Sequence, residues 1–203
     1  MPVKGGATQA ERSEATRAAL VSVARRLFAE RGYAGVGTEE IVREARVTRG
    51  ALYHHFADKR DLFRAVHEGL EEEVTAGLAR RIGEFAESGG DALGALMTGV
   101  DAFLEVCMDP AVARITLMDA PVVLGWEEWR EIDARYGLGI VTAGLQAAMD
   151  QGLLRRSAVT PLAHVLLGAL GEAAMMIANA KDKQTTRDDV RQALVEVLQG
   201  LRS

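Results

Sequence analysis

The chain has 203 residues, 48% hydrophobic and 26% charged, ordinary proportions for a soluble globular protein and enough for one large domain or a small plus a medium one. A single cysteine, Cys107, excludes an intramolecular disulfide and gives no sign of an oxidising compartment. The N-terminal run MPVKGGATQAERSEATR has no signal-peptide core. The most apolar stretch, residues 161–178, holds His164 and Glu172 and is short for a membrane span. A buried helix, a cytoplasmic location and no membrane association are therefore expected. The net charge of −5 is uneven: residues 1–60 carry 11 basic against 7 acidic side chains, and residues 61–203 carry 13 against 22. A basic head and an acidic body suit a protein whose head meets phosphate.

Prolines occur only at positions 2, 110, 121 and 161, and apolar residues recur at the helical spacing of three and four. A first helix is expected from Glu11 to Arg31, with Leu20, Ala24, Leu27 and Phe28 on one face and Gly32 ending it. Thr38, followed by Glu39 and Glu40, caps a short second helix carrying Ile41, Val42 and Ala45. Thr48 caps a short third helix reaching His55. Asp58 caps a long fourth with Leu62, Val66, Leu70, Val74, Leu78 and Ile82 at steps of four. Ser88-Gly89-Gly90 breaks the chain, and Asp91 opens a fifth helix with Leu93, Met97, Val100, Phe103, Leu104 and Cys107. After Asp109-Pro110 comes a short piece from Ala111 to Met118. Pro121 and Gly125 bracket a bend before a helix that carries Trp126, Trp129, Tyr136 and Ile140 and closes at Gly152. Pro161 opens a very apolar helix to Ala180. The last helix has Thr186 and Asp189 at capping-box spacing. The fold class is all-α, about nine helices. The division expected is a flexible N-terminus at 1–10, a three-helix head at 11–57 and a helical bundle at 58–203.

Residues 38–59 read TEEIVREARVTRGALYHHFADK, two short helices joined by a tight turn and followed directly by a long one. Helices this short need packing partners, so Ile41, Val47, Leu52 and Phe56 must turn inward. The outer face of the third helix then presents Thr48, Arg49, Gly50, Tyr53 and His54. Hydrogen-bond donors, a small residue permitting close approach and an aromatic hydroxyl suit a helix laid in a major groove. This segment resembles the N-terminal signature of the TetR family of bacterial repressors, T-x-x-I-A-x-x-A-G-V-S-x-G-x-L-Y-x-H-F-x-x-K-x-x-L. The chain matches it at Thr38, Ile41, Ala45, Val47, Gly50, Leu52, Tyr53, His55, Phe56, Lys59 and Leu62, over about a quarter of its length.

The resemblance implies that Thr38 holds phosphate and that Thr48, Arg49 and Gly50 meet base edges. It further implies phosphate or base contacts for Tyr53 and His54, and a phosphate contact for Lys59. The turn glycine of the signature is Arg46 here, a bulky side chain where φ > 0 is often needed; it either adds a phosphate contact or strains the turn. The resemblance also implies a homodimer on double-stranded operator DNA, released by a small-molecule effector. Its half-sites would lie roughly 34–36 Å apart, or a multiple of that.

Other chemistry is thinly represented. His54 and His55 point about 100° apart on a helix and cannot share a metal. His67 and Glu71, four apart, lack a third ligand at motif spacing, and Glu71-Glu72-Glu73 is simplest as a solvated face. Cys107 sits in an apolar stripe as a small hydrophobe. No catalytic or nucleotide-binding motif is present, so neither an enzyme nor a cofactor is expected. Trp126, Trp129, Phe85, Phe103, Met118 and Met149 are candidates for an apolar or amphipathic effector site, because helices broken by Pro110, Pro121 and Gly125 leave room for a cavity. His164 and Glu172, two turns apart, either orient that effector or meet across a dimer. Leu166, Leu170, Val190, Leu194, Val197 and Leu201, on the last two helices, are the expected dimer contacts. An effector-free regulator or activator, and a helical enzyme on the same fold, are the rival readings.

Overall fold

The computed structural model describes residues 8–202. Of the segment expected to be flexible, residues 1–7 lie outside this range, while 8–10 are helical or capping. Thr8 closes a capping box with Glu11, its hydroxyl accepting from Glu11 N at 3.2 Å and the Glu11 carboxylate accepting from Thr8 N at 2.6 Å. This satisfies two backbone donors that would otherwise be left over. Helix α1 accordingly spans Gln9–Arg31 and ends at Gly32, whose φ of 70° few other residues tolerate. Helices α2 (Thr38–Glu44), α3 (Arg49–His55) and α4 (Lys59–Glu87) follow. The Thr48 and Asp58 side chains cap α3 and α4 as expected. Thr38 is the first residue of α2 rather than its cap, which is Gly37.

Helix α5 is Ala92–Val106, capped by Asp91. Helix α6 is composite: a short turn Pro110–Val112, a π-helical turn Ala113–Asp119 and a final turn Ala120–Val123. Helices α7 (Trp126–Asp150), α8 (Val159–Asn179) and α9 (Lys183–Gln199) complete the chain. Asp182, not Thr186, caps α9: its carboxylate accepts from Thr185 N at 3.1 Å, which starts the helix about a turn early. Among the described residues there are nine helical segments and no strand beyond a one-residue bridge between Leu154 and Arg202.

Two cores hold the molecule together. The first joins α1–α3 to the first half of α4 and reaches on through Ile115, Ala120, Trp129 and Ile132. Phe63 meets Phe28 and Tyr33 edge to face at its centre, and Phe28 and Tyr33 are tilted against each other, with ring centroids 5.2–5.8 Å apart. The head is thus not bounded at residue 57 by packing, because α6 and the start of α7 are part of its core. The second core lies among α5, α7, α8 and α9. Val159–Asn179 is long and apolar enough by composition to cross a membrane, but seven of its residues are buried against the neighbouring helices.

Candidate functional site

The outer surface of the head follows from its caps. With Thr48 capping α3 and Leu52 fully buried beneath it, Thr48, Arg49, Gly50, Tyr53 and His54 are left exposed together. Arg49 lies over the Tyr53 ring, 5.6 Å from its centroid, and reaches Glu39 only at 3.8 Å. Arg43 at the end of α2 and Arg46 on the adjoining turn are exposed as well. Arg46 has φ 55°, alone among the described non-glycine residues in being positive. The turn demands a left-handed residue and this sequence supplies an arginine, so strain and an outward cation coexist there.

Lys59 is placed differently from the rest. It is half-buried, its ammonium donating to the Tyr33 carbonyl at 2.6 Å and lying 3.9 Å from the Tyr33 ring centroid. Burial holds its pKa below the usual lysine range. One of its three donors is therefore committed to the head itself. Tyr33 N in turn donates to the Asp119 carboxylate of α6 at 2.7 Å. Beside it, Arg114 lies 3.4 Å from the same carboxylate and fills the space where a side chain on Gly32 would go. The next residue of α4, Arg60, donates to the Val123 and Leu124 carbonyls at 3.1 and 2.8 Å. Arg60 and Arg64 both hold Glu128 of α7. Although burial works the other way, those hydrogen bonds keep the Glu128 carboxyl below its ordinary range. The first turns of α4 are thus latched to the body from two sides.

Farther along α4, the body contains a cavity of about 490 Å³ walled by α4, α5, α7 and α8, within the size range of small-molecule sites. Val74, Leu78, Ile82, Val100, Phe103, Ile140 and Leu170 make it apolar. Ala79, Ala86, Ala143 and Ala147, exposed as well as lining, mark its opening. Its inner end, nearest the head, is carboxylic: Glu71 of α4 and Asp133 of α7. Burial pushes Glu71 up to about 7, with repulsion from Asp133 adding to it, and burial also raises Asp133. Behind them His67 is fully buried and pushed down to about 4 by desolvation. Among the described residues neither of its ring nitrogens has a hydrogen-bond partner, and Nδ1 lies 3.8 Å from Glu71.

A family model described as the tetracyclin repressor-like C-terminal domain matches residues 93–201, over half the chain. Another, described as bacterial regulatory proteins of the tetR family, matches residues 20–66. The chain belongs to the TetR family. The TetC protein of transposon Tn10 from Escherichia coli is 28% identical over 174 residues, 86% of each chain. The crystal structure of a TetR-family transcriptional regulator from Pectobacterium atrosepticum is 32% identical and superposes with a TM-score of 0.81 over 97% of this chain and 98% of its own. RolR, solved with the ligand resorcinol, shares the fold at 22% identity and a TM-score of 0.72, covering 94% of this chain and 90% of its own. The chain is thus a transcriptional regulator with an N-terminal helix-turn-helix and a helical C-terminal domain, and its relatives are regulators rather than enzymes.

Within this TetR-family body, several residues expected at an effector site lie elsewhere. Phe103 lines the cavity. Phe85 packs over Gly90 and Gly94 at the α4–α5 turn, and Met149 is buried in the second core. Trp129 is buried in the head core, its indole donating to the Thr116 carbonyl at 3.1 Å, whereas Trp126 and Met118 are exposed. The expectation placed the cavity where prolines break the helices. In fact α6 packs tightly, Ile115 and Ala120 being fully buried. Room arises instead between long helices, where Gly83, Ala95 and Gly171 leave side-chain volume out. Glu71, taken as part of a solvated face, is half-buried in the cavity wall. The signal was present: His67, Glu71, Val74 and Leu78 form one stripe at helical spacing, with the polar pair at its head-proximal end.

The surface of α8 and α9 also differs. Leu166, Leu170, Val190 and Leu194 are buried in the protomer's own core, and Leu201 packs against it, leaving Val197 alone of the six exposed. The outward stripe runs one position over, through His164, Val165, Glu172 and Met176 on α8 and Ala193 and Val197 on α9. Val165 is 69% exposed and Val197 57%. Glu172, with Trp126, Trp129 and Met176, edges a shallow groove outside the cavity, and His164 is exposed. Neither reaches the cavity.

Proposed function

We propose that this regulator is a repressor that binds operator DNA as a homodimer and leaves it when a small apolar or amphipathic molecule enters the cavity. The observation that carries this is the double attachment of α4. Its first turns are latched to head and body through Lys59, Arg60 and Arg64, and its later turns, from Glu71 to Ile82, wall the cavity. A ligand that prefers one setting of α4 therefore biases the position of the head, and only by the amount of that preference. Base edges would be met by Thr48, Arg49, Gly50, Tyr53 and His54. Phosphates would be met by Thr38, Arg43 and Arg46, with Lys59 contributing what its bond to Tyr33 leaves free. RolR's resorcinol complex offers a precedent within the fold for a small organic ligand. Two protomers would pair through the outward stripe of α8 and α9, where His164 and Glu172 would face the partner. The protein would act in the cytoplasm, without membrane or cofactor.

The test is to select binding sites from a pool of randomised duplexes and to titrate the winner by fluorescence anisotropy. Enrichment of an inverted repeat, a steep fall of affinity with salt and release by hydrophobic compounds are expected. Enrichment of no sequence at all would remove the operator-binding reading.

A further inference from the structure

Three carboxylates line the cavity, and two are already engaged. Asp91 caps α5 and accepts from Gly94 N at 2.7 Å, while Asp133 accepts from Arg130 at 2.7 Å. Glu71 is the exception. Among the described residues none donates a hydrogen bond to it, and His67, a neutral imidazole, stands 3.8 Å away. Among the described residues no lysine, arginine or histidine lines the cavity. A half-buried carboxyl without a donor or counter-charge, at the closed end of an apolar chamber, is a costly arrangement for the empty protein. A ligand that supplied one positive charge there would remove that cost, and its attraction is strengthened by the low dielectric around it.

We infer that the cavity is built for an apolar molecule bearing one protonated nitrogen, the cation meeting Glu71 beside Asp133 and the hydrocarbon lying along Leu78, Ile82 and Phe103. This rests on the reading of the cavity as the effector site. The aliphatic wall favours a flexible chain over a flat aromatic system, since Phe103 is the single aromatic among the described lining residues. Neutral hydroxylic and anionic molecules of the same length lack the complementary charge. The anion in addition meets two carboxylates with no basic group to offset them.

The binding is coupled to pH through Glu71. The titratable groups that act on it are His67 on α4, Cys107 just beyond α5, and Asp133 and Tyr136 on α7, with Arg130 engaged by Asp133, while α8 offers only Leu166, Leu167, Leu170 and Gly171 to the cavity. His67, at about 4, and Cys107, at about 12, stay neutral near neutrality. An alkylammonium, with a pKa near lysine's value of about 10.4, stays charged. The cation prefers ionised Glu71, so its affinity rises as pH climbs through the Glu71 value of about 7.

Calorimetric titration of the full-length protein with octylamine, octanol and octanoate tests this. At about pH 8, octylamine is expected to bind roughly tenfold or more tighter than the other two, as a hydrogen bond to a charged group implies. Glu71→Gln is expected to abolish most of the preference for octylamine over octanol; Asp133→Asn lowers it less, since Arg130 already engages Asp133. The preference shrinks toward about pH 6 in the wild type and stays flat in Glu71→Gln. The pH series on wild-type protein decides the matter even where a variant fails to fold. Equal binding of all three probes, or an amine preference indifferent to Glu71 and to pH, overturns the cation site while leaving an apolar effector cavity. Binding by none of the three overturns the cavity reading, and this proposal with it.

Discussion

The head and the body treat polar side chains in opposite ways. At the junction of α1, α4 and α6, hydrogen bonds of 2.6–3.1 Å join Lys59 to Tyr33, Tyr33 to Asp119 and Arg60 to the Val123 and Leu124 carbonyls, so the head is held in one orientation on the body. Around the cavity, Glu71 and His67 are enclosed without such partners. Satisfied networks rigidify, while unsatisfied ones leave free energy for a ligand to release. A sensor needs both: a firm surface for one partner and an incomplete interior for the other, with a stiff helix between them.

The sharpest way to break the comparison is Leu194→Glu. Leu194 is 5% exposed in the body core, and a carboxylate there, with no partner, is expected to cost about 4 kcal/mol or more and to leave little folded protein. Circular dichroism checks it. Val197→Glu on the outward stripe should instead fold normally and, by light scattering, halve the mass; a folded dimer would remove the proposed pairing face.

Glu71→Gln comes next and separates stability from binding. The Glu71 carboxyl is raised from 4.5 to about 7, so the folded state holds a proton that the unfolded chain releases. Its burden is absent at acid pH, grows as pH rises from 4.5, and is complete above about 7. The variant should gain roughly 3 kcal/mol above that pH and nothing near pH 4, read as melting temperature against pH. His67 has the reverse sign: lowered from 6.5 to about 4, it destabilises the fold as pH falls through that window. The two slopes oppose one another in the wild type, and Glu71→Gln exposes the histidine's.

Gly32→Ala tests the latch. Alanine at φ 70° is strained, and its Cβ would stand 2.0 Å from the Arg114 guanidinium, so a loss of about 1–3 kcal/mol is expected in thermal unfolding. Unchanged stability would mean that Arg114 is free to leave. Arg49→Ala, on an exposed face, should leave stability within about 0.5 kcal/mol but cost roughly 1–3 kcal/mol in discrimination between specific and random DNA. Equal loss on both would recast Arg49 as a phosphate contact.

The head was readable from sequence because its determinants are local. Thr48 and Asp58 sit where caps must be, Ile41, Leu52 and Phe56 have one possible interior, and Arg46 stands at a turn that does require positive φ. The body was less readable for two physical reasons. Helices α8 and α9 carry apolar residues on more than one side, and spacing alone does not say which side meets its own protomer; Leu194 and Val197 exchange roles on that point. The cavity depends on volume left out by glycines and alanines of different helices, which no single helix reports. Trp126 and Trp129 drew attention by size, yet the room lies among the small residues.

The π-helical turn of α6 carries a consequence for how this protein tolerates changes of length. Such a turn is one residue wider than an α-helical one. Across Ala113–Asp119 it keeps Ile115 in the head core, Leu117 in the body core and Asp119 on the Tyr33 amide. Deleting one residue there would let the segment relax to an ordinary helix and rotate everything after it by about 100°. Asp119 would swing off Tyr33, and Arg114 and Asp119 would part. The chain would keep its composition and its helices but lose the joint between its halves. Single-residue insertions and deletions are therefore expected to be most disruptive in this stretch of fourteen residues from Pro110 to Val123.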